Sequence, residues 1–295
     1  MSLSNIFSAD HCVLSFELFP PKTDKGLAEL HRNVDDLNKH NPDFYTCTYG
    51  AGGSTRDKTL SITSEVRSRL NLPVASHLTC VGSTKDQLRQ YLQSAKEANV
   101  DYIVALRGDP PQGESSFTAV EGGLHYANEL VELIKNEFPN FGILVAGYPE
   151  VHQEAPNAEV DLENLVRKVD AGADAIVTQL FYDNADFFSF REKCEAAGIT
   201  VPIVPGLLPV LNLKQVQRIA SLCKAKLPKQ FVDRLSEKDD VDWQFNAGVE
   251  HAIAQTQGLI DAGIPGIHFY VLNKATATNQ ILENVTGLVR NSTGA

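Results

Sequence analysis

Glu17 has the clearest chemical potential in the sequence, because it is a lone acid within the apolar run Val13–Phe19. Side chains alternate along a strand, so Glu17 and Ser15 share the face opposite Phe16. If the bulky face packs against helices, Glu17 points inward, where burial raises the pKa of a carboxyl toward that of a general acid. A structural ion pair with an inward Arg or Lys would explain the same carboxylate, so both interpretations stay open.

Further polar or aromatic side chains stand at or just after apolar runs. They are His77, Arg107, Gly108, Asp109, Tyr148 and His152. A glycine at position 108 would let a ligand approach the backbone closely, whereas Arg107 and Asp109 could simply form a salt bridge. His77 taken alone suits a buried core histidine, and Tyr148 and His152 could merely pack their Pro-containing loop.

A separate polar set recurs at helical spacing further along the chain. It comprises Asp161, Asn164, Arg167 and Lys168. These side chains could form a solvated helix face with i,i+4 pairing. Alternatively, the helix start could bind a phosphate, because Asp161 and Asn164 lie near the N-terminus that Pro156 and Asn157 imply.

The elements that must position these groups are short apolar runs, each followed by an amphipathic helical pattern. The runs are Val13–Phe19, Phe44–Tyr49, Val74–Thr79, Tyr102–Leu106, Gly142–Gly147, Ala175–Gln179, Val201–Gly206 and Gly266–Val271. Alternating strands and helices indicate parallel pairing with right-handed crossovers. Eight such units predict an α/β protein with a (β/α)8 TIM barrel, whose chemistry lies at the C-terminal strand ends.

Neither a dinucleotide-binding GxGxxG nor a phosphate-binding P-loop is present, and the first run ends in Phe19-Pro20-Pro21. No linker is visible, so we predict one domain over residues 1–295, with a frayed tail at Asn291–Ala295. The segment Lys224–Asp242 is an extra polar stretch of unassigned role.

Composition narrows the class of protein further. A net charge of −11 without basic blocks argues against nucleic-acid and anionic-membrane partners. No apolar run approaches the roughly 20 residues of a membrane span, and the N-terminus does not resemble a signal peptide. The 5 cysteines are scattered without CxxC spacing, which predicts reduced thiols in a cytoplasmic protein and no metal site.

Seven short blocks occur in order along nearly the whole chain. They are Phe16–Pro21, Thr48–Ala51, His77–Cys80, Leu106–Asp109, Tyr148–His152, Lys168–Ala173 and His268–Asn273. Together they resemble the methylenetetrahydrofolate reductase family. The length resembles the bacterial form, a catalytic barrel without the regulatory domain that eukaryotic members append.

The resemblance implies FAD-dependent reduction of 5,10-methylenetetrahydrofolate to 5-methyltetrahydrofolate, with NADH or NADPH reducing the flavin first in a ping-pong cycle. It implies that Glu17 is the general acid and that Asp109 is a carboxylate near both flavin and pterin. It also implies a homo-oligomer. The implied substrate-binding residues are Glu17, Asp109, Gln179, Gln215 and Lys274.

The same resemblance implies a set of FAD-binding residues spread over several strand ends. They are Thr48, Tyr49, Ala51, His77, Arg107, Gly108, Asp109, Tyr126, Tyr148, His152, Ala155, Asp161, Asn164, Arg167 and Lys168. Arg167 and Lys168 match the family's pyrophosphate-binding cations, which suits an acidic protein that needs local positive charge for a dianionic group.

Two positions depart from the pattern. Ile219 replaces a Phe that packs on bound ligands, and Lys274 replaces an Arg, which loses a bidentate fork for a carboxylate. Another flavin barrel such as a proline dehydrogenase-like oxidase, or a non-catalytic flavin or folate binder, stays as an alternative. A Schiff-base aldolase is disfavoured because none of the eight runs contains a Lys.

Overall fold

The computed structural model describes residues 3–8, 11–49, 56–110 and 117–288, with only the backbone of residues 56 and 57. Ala51 and the tail 291–295 lie outside the described residues. The strands are β1 Val13–Leu18, β2 Phe44–Cys47, β3 Val74–Thr79, β4 Tyr102–Leu106, β5 Gly142–Gly147, β6 Ala175–Thr178, β7 Ile203–Val204, β8 Gly206–Leu207 and β9 Gly266–Tyr270.

All strand pairs are parallel, in the order β7-β6-β5-β4-β3-β2-β1-β9-β8. The short strands β7 and β8 belong to one predicted run that Pro205 interrupts, because proline has no N–H to donate. One half pairs with β6 and the other with β9, so together they close the sheet. The predicted (β/α)8 barrel is confirmed.

The helices follow the strands as the amphipathic patterns predict. They are α1 Leu3–Phe7, α2 Asp24–Asn38, α3 Arg56–Leu70, α4 Lys85–Glu97, α5 Ala127–Glu137, α6 Ala158–Asp170, α7 Asn184–Ala196, α8 Leu213–Cys223, α9 Lys229–Ser236, α10 Val241–Asp261 and α11 Thr276–Glu283. Thr84 and Gln87 form a capping box at the start of α4. Asn99, with φ 57°, follows α4 in the left-handed conformation that ends many helices.

Two apolar layers hold the barrel. The outer layer lies between strands and helices and contains Phe16 and Leu18. The inner layer fills the barrel at the strand N-termini, where α1 contributes Leu3 to pack against Phe44 and Tyr102. In the described part of the chain, this filling closes the N-terminal end of the barrel and leaves the C-terminal end open to a ligand.

Two features were not predicted from the sequence. The five-residue helix α1 plugs the barrel, and the polar segment Lys224–Asp242 contains α9, whose Phe231 and Leu235 are buried. Of the helices in the described part of the chain, none is long and apolar enough to cross a membrane.

Candidate active site

A cavity of about 740 Å³ opens at the C-terminal ends of the strands, the end at which barrel enzymes bind ligands. Its wall includes ten of the residues singled out from the sequence. They are Glu17, Thr48, Tyr49, His77, Arg107, Gly108, Asp109, Tyr148, His152 and Gln179. The barrel therefore gathers side chains from six separate chain segments around one space.

Glu17 lies between two imidazoles in the cavity wall and is only 6% exposed. Its Oε2 atom is 3.3 Å from Nε2 of His77 on β3 and 3.8 Å from Nε2 of His268 on β9. Ser15, on the same face of β1, holds the other side of the His268 ring through an Oγ–Nδ1 hydrogen bond of 2.8 Å. The Tyr270 ring packs edge-on against His268, with centroids 5.1 Å apart.

The expectation of a raised pKa for Glu17 is wrong in this structure. Burial by itself raises the pKa, but hydrogen bonds from His268 and His77 and their electrostatic interactions outweigh burial and lower the pKa to about 2. The alternation of side chains along the strand predicted that the carboxyl is buried. It could not predict which histidines lie next to the carboxyl in the closed barrel. Glu17 is therefore a carboxylate at neutral pH, and it needs a proton from a neighbour before it can act as an acid.

Arg107 pairs with Glu154 rather than with Asp109. Its Nη1 and Nη2 atoms donate to the two carboxylate oxygens of Glu154 over 2.7 and 2.6 Å, and its guanidinium lies 5.0 Å from the centroid of the Phe117 ring. This hydrogen bonding raises the pKa of Arg107 and lowers that of Glu154. Gly108 has φ +88°, a conformation that suits glycine at this turn.

The polar set on α6 does not gather at a helix start. Asp161 is in the first turn and accepts a hydrogen bond from the backbone N–H of His152 over 2.9 Å. Asn164 lies further along, and Arg167 and Lys168 occupy the last turn. The helix begins where Pro156 and Asn157 predict, with Asn157 as its N-cap. The two cations lie at the opposite end of α6 from its free N–H groups, so they cannot act together with the helix start on one phosphate group.

Lys168 instead reaches the back of the cavity wall. Its Nζ donates to the backbone carbonyl of Ala146 and lies 5.9 Å from the centroid of the Tyr148 ring. Both of those residues line the cavity. Burial lowers the pKa of Lys168 to about 8, and the charge of Asp161 opposes this shift only in part. Arg167 is exposed and lies 3.7 Å from Glu163.

Gln215 and Lys274 flank a second, smaller cleft beside the main cavity. The two spaces share Leu208, Tyr270 and Leu272 as lining residues. Gln215 is in the first turn of α8, and its Oε1 accepts from the N–H of Leu211 over 3.1 Å. The cleft encloses only about 10 Å³, room for about one water molecule, so Gln215 and Lys274 lie at the edge of the main cavity rather than around a second binding space.

Several expected cofactor residues lie outside the lining of the main cavity. Tyr126 precedes α5 and is 62% exposed, and Ala155 donates its N–H to the carbonyl of His152 over 2.9 Å. Asp161, Asn164, Arg167 and Lys168 are likewise absent from that lining. These residues therefore lie beside the main cavity rather than in its wall.

The structure adds residues that the sequence analysis did not select. Lys22, Thr46, Thr79, Cys223, His268 and Tyr270 all line the cavity. His268 and Tyr270 share one strand face, so the alternation that singled out Glu17 could have found them. Among the described residues, no three or more His, Cys, Asp or Glu side chains are grouped to hold a metal ion.

Comparison with known proteins decides the family. The family model described as methylenetetrahydrofolate reductase matches residues 2–286. The chain belongs to the methylenetetrahydrofolate reductase family. The match includes every strand of the barrel and every cavity residue named above, which ties the family's sequence pattern to this site.

Curated members of the methylenetetrahydrofolate reductase family share about two residues in five with the chain. The 5,10-methylenetetrahydrofolate reductase of Escherichia coli is 41% identical over 265 residues, which cover 89% of this chain and 86% of that protein. Methylenetetrahydrofolate reductase (NADH) 1 of Zea mays is 39% identical over 289 residues, which cover 94% of this chain and 49% of that protein. The chain thus spans about half the length of the plant relatives.

A solved structure supports the fold alone. An uncharacterized protein from Clostridium thermocellum, which binds two copies of 5-methyl-5,6,7,8-tetrahydrofolic acid, has a TM-score of 0.65 and 15% sequence identity. The likeness covers 95% of this chain and 96% of that one. At this identity, what that protein shares with this chain is the barrel architecture.

Proposed function

We propose that this chain catalyses the reduction of 5,10-methylenetetrahydrofolate to 5-methyltetrahydrofolate, with FAD as cofactor and NADH or NADPH as donor in a ping-pong cycle. The observation that carries the proposal is Glu17, a buried carboxylate held by two imidazoles in the wall of a 740 Å³ cavity. Burying an ionised acid is costly, and the two imidazoles offset that cost while they leave the carboxylate in the cavity wall, where it can reach a ligand.

The residues present fit a flavin. The hydroxyl oxygens of Thr46 and Thr79 are buried without a hydrogen-bond partner, and both residues line the cavity. Buried polar atoms of this kind are costly unless a ligand satisfies them, and the edge of an isoalloxazine ring offers both donors and acceptors. The exposed ring of Tyr126 is available to stack on a planar base.

In this proposal the flavin contacts the residue set that the resemblance implies. Thr48, Tyr49, His77, Gly108, Tyr148 and His152 border the ring system, and Arg107, Arg167 and Lys168 supply positive charge for the diphosphate. Asp161 and Asn164 orient the two cations on α6, and Tyr126, Ala155 and Ala51 complete the set. When bound, FAD accepts a hydride from the nicotinamide and passes it to the folate.

Glu17 supplies the proton in the folate half of the cycle. The bond from the bridging methylene carbon to one ring nitrogen breaks, and its electron pair goes to that nitrogen. The proton from Glu17 is transferred to the same nitrogen, which leaves an electrophilic iminium on the substrate. The low exposure of Glu17 keeps water away from this reactive species.

The other expected substrate residues form two groups, one for the pterin and one for the tail of the folate. Gln179 and Asp109 line the main cavity and contact the pterin in this proposal, while Gln215 and Lys274, at the edge of that cavity, contact the tail. The negative charge of Asp109 disfavours an anionic reduced flavin and so strengthens its tendency to give up a hydride. One domain over residues 1–295 and assembly as a homo-oligomer stay predictions.

Anaerobic rapid mixing of the purified FAD-loaded protein tests the proposal. We expect NADH or NADPH to bleach the visible absorption of the flavin, and 5,10-methylenetetrahydrofolate to restore it with formation of 5-methyltetrahydrofolate. Bleaching without reoxidation by the folate would contradict the proposed reaction. Bleaching by proline instead of a nicotinamide would favour the proline dehydrogenase-like alternative, and a flavin that neither partner changes would favour a binding protein.

A further inference from the structure

The proton that Glu17 needs must come from a neighbouring group, because the carboxyl is ionised in the cavity wall. The remaining ionisable groups that act on Glu17 or respond to it among the described residues are His77 on β3, Cys47 on β2, and His268 and Tyr270 on β9. Burial and, to a smaller extent, the charge of Glu17 raise the pKa values of Cys47 and Tyr270. Both keep their protons through neutral pH, so only the two histidines can supply one.

His268 is the better placed of the two histidines to hold a proton between turnovers. It is 2% exposed, and the Ser15 hydroxyl on Nδ1 fixes the ring so that Nε2 faces Oε2 of Glu17. His77 belongs to the set expected to contact the flavin, whereas His268 does not. The 3.8 Å separation between Nε2 and Oε2 is one that ligand binding can shorten, because catalytic hydrogen bonds are often long in empty sites.

We propose that His268, held by Ser15, is the proton donor that protonates Glu17 for folate reduction. The imidazolium Nε2–H of His268 gives its proton to Oε2 of Glu17, and the carboxyl passes that proton on to the substrate nitrogen. Glu17 is then again a carboxylate and the histidine is neutral, and solvent returns a proton to the histidine after the product leaves. This inference rests on the proposed function, and it assigns His268 as a positioning and proton-supplying residue that acts through Glu17.

The electrostatics of the cavity favour proton transfer from His268 to Glu17 when a folate binds. Before a ligand binds, a carboxylate and an imidazolium at these positions form an ion pair that only a little solvent reaches, because Glu17 and His268 are 6% and 2% exposed. A bound pterin ring excludes solvent, and a drier site favours the neutral pair of carboxylic acid and imidazole. Substrate binding itself thus moves the proton toward Glu17, so that the carboxyl is protonated only when a folate is present.

The pH dependence of the folate half-reaction tests His268 directly. His268→Gln keeps an amide donor that can reach Glu17 but cannot carry a titrating proton. We expect the wild-type rate of flavin reoxidation by 5,10-methylenetetrahydrofolate to fall at alkaline pH, and the same fall to occur about one pH unit or more lower in His268→Gln. His40→Gln, which removes a histidine near the N-terminal end of β2, is the matched control and should leave the pH profile unchanged.

A merely structural role would lower the rate of His268→Gln equally at every pH, and an unshifted pH profile would overturn the proposal. Flavin content and reduction by NADH verify that the variant is folded. A readout that needs no folate turnover is the ring NMR signal of His268. We expect the ring signals of His268 at neutral pH to change in Glu17→Gln, because Nε2 faces Oε2 of Glu17, and identical spectra would overturn the proposal. If wild type binds flavin but never reduces folate, the proposed function fails, while this comparison of spectra still decides the coupling.

Discussion

Arg107 and Glu154 form a bidentate salt bridge that ties the loop after β4 to the loop after β5 at the cavity. The donor–acceptor distances are 2.7 and 2.6 Å, and the two side chains are 20% and 34% exposed. Because Arg107 lines the cavity, the pair fixes the direction of a cation that is proposed to meet the flavin. The salt bridge therefore connects the loop that carries His152 to Arg107 in the cavity wall.

Glu154→Gln tests whether this salt bridge positions Arg107. We expect the dissociation constant for FAD to rise about fivefold, because a partly exposed bidentate pair contributes about 1 kcal/mol. Titration of the apoprotein with FAD, followed by quenching of flavin fluorescence, measures the change. Glu137→Gln breaks a bidentate pair with Arg89 away from the cavity and is the matched control. Tighter binding in Glu154→Gln would mean that Glu154 competes with the flavin for Arg107.

If FAD binds as proposed, Lys168 should make flavin affinity depend on pH. Its pKa is lowered to about 8 by burial, so the ammonium that would attract the diphosphate is lost as pH rises through that value. We expect FAD affinity in wild type to weaken between about pH 7 and 9, and to stay flat in Lys168→Arg, because a guanidinium keeps its charge. The same slope in both proteins would show that another group sets the pH dependence.

Ile219 should limit the stacking of whichever ligand faces α8. It lines the cavity between Gln215 and Cys223, each one helical turn away on the same face of α8. We expect Ile219→Phe to lower the KM for NADH or the folate about two- to tenfold, the increment that an aromatic pair supplies. Leu222→Phe adds the same ring at a position that is 66% exposed and should change neither KM. Unaltered constants in Ile219→Phe would place the ligands away from α8.

Asp109→Asn should separate the two half-reactions. Removing the charge favours the anionic reduced flavin, so we expect a higher flavin reduction potential and folate reduction slower by about tenfold or more. The potential is measured by dye equilibration and the rate by rapid mixing. Asp170→Asn, an exposed acid at the end of α6, is the control. A potential equal to that of wild type would refute the charge argument for Asp109.

The barrel could be predicted from the sequence because its signals are local. Each strand run is short, apolar and bounded by helical patterns, and the strand-face argument for Glu17 needs only the alternation along β1. The break at Pro205 and the plug formed by α1 could not be placed in the same way. Both depend on how the sheet closes, which is a property of the whole barrel.

The site was harder to predict because its energetics depend on distant partners. The two histidines that lower the pKa of Glu17 are 60 and 251 residues away in sequence, as the numbers of His77 and His268 show. Arg107 likewise pairs with Glu154 and not with its sequence neighbour Asp109. Spacing in a sequence gives residue types at strand ends, but only the closed barrel decides which of them touch.

The central claim is that Glu17 supplies the proton for folate reduction, and Glu17→Gln tests it most directly. In single-turnover rapid mixing, we expect flavin reduction by NADH or NADPH to stay within about threefold of wild type. Reoxidation by 5,10-methylenetetrahydrofolate should slow by a factor on the order of 100 or more, the usual contribution of a general acid. Reoxidation by the folate at the wild-type rate would contradict the account.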